Sequence, residues 1–121
     1  MTLDRRRLRS SNVKQALRYQ LTASRETGRL EAMLVADPAG LCLAGAGATE
    51  TCEEIAAQLP LFEKDVKDGV FLGALPGRAV IVKRFAVGDS ELYACAIGGE
   101  TSNFNAEIER SIAGAKHILA A

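Results

Sequence analysis

Apolar residues follow two rhythms along this chain. Val13, Leu17 and Leu21 recur at every fourth position behind the cap-type residues Ser10, Ser11 and Asn12, and Gly28 closes the run. That period and those ends predict a helix with one narrow apolar stripe. The pattern then becomes continuous. "LEAMLVA" (30–36) carries one charge, "DPAG" puts Pro38 second and Gly40 fourth in a turn, and "LCLAGAG" follows, so a β-hairpin is expected. Ile55, Leu59, Phe62 and Val66 return at intervals of four, three and four, the spacing of a second amphipathic helix. Thr51 and Glu54 stand as a capping box and set its expected start, whereas Pro60 inside the stripe predicts a kink or two shorter pieces.

Three further runs, "GVFLGAL" (69–75), "RAVIVKRFAV" (78–87) and "ELYACAI" (91–97), are separated by "PG" and "GDS" and read as a three-stranded meander. They are apolar at adjacent as well as alternate positions, which suits a sheet covered on both faces. Ser102 or Asn103 then caps a closing helix with Phe104, Ile108, Ile112, Ala115 and Leu119 as its stripe. The expected order is α-β-β-α-β-β-β-α, an α/β (α+β) domain over residues 10–121 behind a basic arm at 1–9.

Composition narrows the class. The chain has 121 residues, enough for one core, and its 48% hydrophobic and 25% charged residues exclude a disordered polymer. No apolar run approaches the roughly 20 residues of a membrane span, and "MTLDRRRLRS" lacks the apolar stretch of a secretory signal. A cytoplasmic location is expected. Arg-rich, acid-poor starts also occur in transit peptides, but here the stretch after Ser10 reads as a helix of the fold. Abundant Ala and Arg in preference to Lys suit a GC-rich bacterium. Net charge is zero, yet residues 1–29 hold eight Arg and Lys against Asp4 and Glu26, which leaves six net negative charges for the rest.

Catalytic chemistry is poorly provided for. The Gly-Ala-Gly-Ala-Thr stretch at 45–49 lacks the third glycine of a dinucleotide fingerprint, with Glu50 in its place, and no lysine lies between Lys14 and Lys64 to make a Walker loop. Small residues that let the chain leave a strand and enter a helix account for it. His117 is the single histidine and falls in the last helical turn, where an imidazole complements the helix dipole. Cys42, Cys52 and Cys95 are odd in number and widely spaced, so neither a disulfide framework nor a zinc knuckle is expected. No cofactor or metal is expected. Two charged groups keep two readings each. Glu50, Glu53, Glu54, Glu63, Asp65 and Asp68 form either a solvated helix face or a recognition surface for a basic partner. Arg5, Arg6, Arg7 and Arg9 form either a solvated or partner-binding tail or a contact to an anionic surface. Nucleic acid fits poorly, because no aromatic residue is interleaved to stack on bases.

The element order together with "MLVADPAGLCLAGAG", the helix from Thr51, the meander and the closing helix resembles the Roadblock/LC7 family of dynein-light-chain-like and Ras-family GTPase regulatory proteins. The likeness runs from about Asn12 to Leu119, and its most telling part is Asp37-Pro38-Ala39-Gly40-Leu41 between two apolar strands. The resemblance implies a profilin-like five-stranded antiparallel sheet sandwiched between helices. It further implies a homodimer that pairs third strands, here Val70, Phe71, Leu72, Gly73, Ala74 and Leu75, with second helices side by side along Ile55, Leu59 and Phe62. A long apolar strand at a free edge would also invite aggregation unless something paired with it. Pro60 departs from the family's uninterrupted second helix, and the basic arm has no family counterpart.

The leading expectation is a non-enzymatic homodimeric scaffold that binds a small Ras-like GTPase or a motor or polarity complex. Reshaping a partner's switch segments needs no reactive residue in the scaffold. The alternative is a small-molecule sensor, because sandwiches of this shape can enclose a pocket. An enzyme ranks last.

Overall fold

The computed structural model of the chain describes residues 11–62, 64, 66, 67, 69–75, 78–99 and 104–120. Helix α1 (Ser11–Gly28) leads into strands β1 (Ala32–Ala36) and β2 (Cys42–Ala46), helix α2 (Thr49–Phe62), strands β3 (Val70–Leu75), β4 (Arg78–Val87) and β5 (Ser90–Gly98), and helix α3 (Phe104–Ala120). The strands form one antiparallel sheet in the order β2-β1-β5-β4-β3. This is a mixed α/β domain with helices on both faces of an antiparallel sheet.

Strand periodicity divides the core into two layers. Met33 and Val35 of β1 join Leu43, Phe85, Val87, Leu92 and Ala94 beneath α1 and α3, which contribute Leu17, Leu21, Ile108, Ile112, Ala115 and Leu119. Ala32, Leu34 and Ala36 project to the opposite face, where Val80, Val82, Tyr93, Cys95 and Ile97 meet Cys52, Ile55, Ala56 and Leu59 of α2. Every residue of β1 is buried. That two-sided cover is why "AMLVA" is a continuous apolar run rather than an alternating one. Truncating a side chain such as Leu17 or Leu34 to Ala would cost about 2–5 kcal/mol.

The first turn follows its residue chemistry. The Gly40 amide donates to the Asp37 carbonyl at 3.1 Å, and the amides of Ala39 and Leu41 both donate to Asp37 Oδ1 at 3.0 Å. One carboxylate thus satisfies two loop donors, as Asp at the first turn position does.

Two local expectations are corrected, and the end of α1 at Gly28 agrees with the reading. Helix α2 begins at Thr49, so Thr51 lies inside the first turn, and the Ala48 carbonyl accepts from the Cys52 amide at 3.1 Å. Ala48 therefore stands at the cap position, because the link after β2 is only two residues long. Pro60 does not divide α2, which is continuous to Phe62. It sits in the last turn, where its missing N–H leaves one carbonyl, that of Ala56, without its helical donor. Gly28 stays in α1, and Arg29 takes the left-handed turn at φ 54°. The expected caps Ser10, Ser102 and Asn103 lie outside the described residues.

Candidate interaction surfaces

The glycines after β2 are set by packing. A Cβ built on Gly45 would lie 2.8 Å from Cys52 Sγ, so the glycine lets α2 settle on β2. Gly47 has φ 109°, and a Cβ there would come within 2.6 Å of the Glu31 carbonyl oxygen. The chain reverses there against the start of β1, which only glycine permits. These contacts give the stretch a structural role.

Two outer strands flank the sheet. β3 pairs β4 in register from Val70 with Lys83 to Leu75 with Arg78, and on its other side it has no strand among the described residues. The backbone of Val70, Phe71, Leu72, Gly73, Ala74 and Leu75 therefore lies at a sheet edge, with Val70 and Gly73 half-buried. The second part of the expected interface, along α2, takes a different place within the chain. Ile55 and Leu59 are each 1% exposed and pack on the protomer's own sheet, because a helix uses its apolar stripe first on the nearest apolar face. Phe62 is half-buried against the same layer. The outward side of α2 carries Glu50, Glu53, Glu54, Ala57, Pro60 and Leu61 instead, with Leu61 65% exposed. Gly40 of the first turn abuts Pro60, a Cβ built on it lying 3.5 Å from Pro60 Cδ, and Leu41, next in the turn, is 58% exposed. The exposed leucine at 61 was missed in the sequence. The signal was a leucine beside Pro60, out of step with the buried stripe.

The acidic residues Glu50, Glu53 and Glu54 share α2's exposed side. Glu63 and the arginines Arg5, Arg6, Arg7 and Arg9 lie outside the described residues, as do Asp65 and Asp68. His117 is exposed in the last turn of α3. Cys42, Cys52 and Cys95 are free thiols. Burial, with the neighbouring Cys52 and Glu53, pushes the Cys42 thiol up to about 11, and burial raises Cys52 and Cys95 as well. Such thiols are poor nucleophiles near neutral pH. Among the described residues no three His, Cys, Asp or Glu side chains converge as a metal site requires, and no helix is long and apolar enough to cross a membrane.

By sequence the chain has no match among protein-family profiles or curated proteins. Solved structures do match. The gliding protein MglB of Thermus thermophilus is 10% identical over 91% of this chain and 93% of its own, with a TM-score of 0.70. A structure described as MglB with tetrameric arrangement is 11% identical over 92% of this chain and 90% of its own, at 0.69. The Roadblock/LC7 domain of Streptomyces avermitilis is 10% identical over 84% of this chain and 92% of its own, at 0.64. Strand order, helix placement and these likenesses across most of both chains agree: this chain has the Roadblock/LC7 fold, the fold of MglB.

Proposed function

We propose that the chain is a non-enzymatic Roadblock/LC7 scaffold that dimerises with itself and controls the nucleotide state or position of a small Ras-like GTPase, alone or within a motor or polarity complex, in the cytoplasm. The observation that carries this reading is the likeness to MglB over about nine-tenths of each chain, one example being described as tetrameric. The outer side of β3, which pairs no strand among the described residues, supports self-association, since a free apolar edge invites pairing with another chain. A six-residue strand pair alone is small beside the roughly 800 Å² per partner of a stable interface. The outward face of α2, with the exposed Leu61, supplies the remainder. Glu50, Glu53 and Glu54 border that face and would meet a basic surface of the partner; Glu63 and the arm arginines stay candidates for the same role.

A small-molecule sensor is the second reading. Among the described residues, the two hollows bordered by Arg18 measure about 230 and 290 Å³, and neither reaches the roughly 300–1,000 Å³ of pockets for drug-sized ligands.

The test is mass in solution by light scattering for the native chain and for Leu72→Asp, followed by binding to a small GTPase encoded beside it. A dimer that becomes monomeric on substitution, and a GTPase whose hydrolysis or nucleotide exchange changes on addition of the dimer, are the expected results. A native monomer, or no binding by that GTPase, overturns the reading.

A further inference from the structure

The sheet has a second edge, and the surroundings of this one are charged. β2 pairs β1 on one side only and has no strand on its outer side among the described residues. A cleft of about 230 Å³ is lined by Leu43, Ala44, Gly45 and Gly47 of the β2 segment, by Lys14 and Arg18 of α1, and by Thr49. Lys14 and Arg18 are four residues apart, hence on the same side of α1. Both are exposed. No carboxylate lines the cleft, and among the described residues neither cation has an ion-pair partner. Arg18 also borders a second hollow of about 290 Å³, formed with Gln15, Tyr19 and Thr22, in which the Tyr19 ring is 69% exposed. Arg18 thus borders both hollows, which together bring two cations without an ion-pair partner among the described residues and an exposed tyrosine close to the β2 segment.

We propose that this edge receives an acidic, extended segment of a partner protein as an added strand on β2. Main-chain hydrogen bonds to an open edge give such a complex its affinity, while side-chain contacts select the sequence. Lys14 and Arg18 lie where carboxylates on alternate residues of the incoming strand would be neutralised, and charge complementarity of this kind fixes the partner's register and excludes basic strands. The site is on the opposite edge of the sheet from β3, so it can be occupied with the β3 edge paired or free.

The experiment uses the full-length, isotope-labelled chain and the acetylated, amidated peptide Glu-Thr-Glu-Val-Glu-Thr-Glu, followed by amide NMR shifts. Saturable shifts are expected at residues 43–47 and 14–19, with none from the same peptide carrying Lys for Glu. Affinity should fall at least about tenfold, equivalent to 1.4 kcal/mol, in Lys14→Gln/Arg18→Gln and further in Lys14→Glu/Arg18→Glu, while Lys116→Gln on α3 leaves it unchanged. Circular dichroism checks that each variant is folded, and the Gln pair keeps the test valid if the Glu pair is not. Four results would overturn the proposal: no saturable shift at millimolar peptide, shifts in α1 without shifts in β2, equal binding by free glutamate or inorganic phosphate, or binding indifferent to the Gln pair.

Discussion

Gly45 and Cys52 are in such close contact that a methyl group on the glycine would lie 2.8 Å from the cysteine sulfur and 3.1 Å from its Cβ. The two residues join β2 to α2, and Cys52 Sγ donates to the Ala46 carbonyl at 3.6 Å, so the thiol has little freedom to move aside. Overpacking of this kind costs about 1–3 kcal/mol. Gly45→Ala should lose that much in urea denaturation. Adding Cys52→Ala should restore part of it by removing the sulfur, a coupling between neighbours that independent sites would not show. Additive losses in the double variant would mean that the contact is not the cause.

That pair also explains why the glycine-rich stretch was only half legible. Its sequence excluded a phosphate loop, because the third glycine and the lysine were missing, but it did not reveal which residue each glycine faces. Gly45 answers to a cysteine seven positions later, and Gly47 to the carbonyl of Glu31 just before β1. The same limit applies to α2. Its apolar spacing located the helix and its buried face correctly, yet spacing alone does not say whether a stripe packs on the chain's own sheet or on a second copy. Ile55 and Leu59 pack on the chain's own sheet. Hairpin, meander and stripes were legible because turn chemistry and periodicity are local. The two sheet edges were not, since they depend on strand order, and β1 sits between β2 and β5 through contacts more than fifty residues apart in sequence.

Leu61 separates the two possible uses of α2. It is 65% exposed, so Leu61→Lys removes no core packing and should change unfolding free energy by under about 0.5 kcal/mol. If the outer face of α2 completes the dimer, the same change should raise the dimer dissociation constant at least about tenfold, or 1.4 kcal/mol. Sedimentation across a concentration series gives the answer. An unaltered dimer would restrict the interface to β3.

Stability should depend on alkaline pH through the buried thiols. An unfolded cysteine ionises near about 8.5, while burial holds Cys42 protonated up to about 11 and raises Cys95 and Cys52 in the same direction. Over that interval the unfolded chain releases protons that the folded chain keeps. The stabilisation is therefore complete below about pH 8.5 and is lost as pH rises toward 11. Urea midpoints at neutral pH and at about pH 10 should show a fall, and Cys42→Ala should make it shallower. A midpoint that is flat or rises over this range would contradict the assignment.

Glu107 is the buried carboxylate among the described residues, its side chain 2% exposed, and Arg110 Nη1 lies 3.3 Å from its Oε1 while the arginine itself is 56% exposed. Oε1 has no hydrogen-bond partner among the described residues, so the nearby guanidinium is its principal compensation. Removing one member of a buried pair is costly because the other charge stays behind, at about 3–5 kcal/mol when both are fully enclosed. Here water reaches the arginine side and reduces the loss, so Arg110→Ala should cost about 1–3 kcal/mol. Glu107→Gln keeps the shape and removes the charge, and should cost less. On that background Arg110→Ala should have almost no further effect, since no carboxylate remains to be stranded. Thermal or urea unfolding of the three variants completes the cycle. If Arg110→Ala costs as little as an ordinary surface substitution, within about 0.5 kcal/mol, Glu107 is held by its surroundings and not by the arginine.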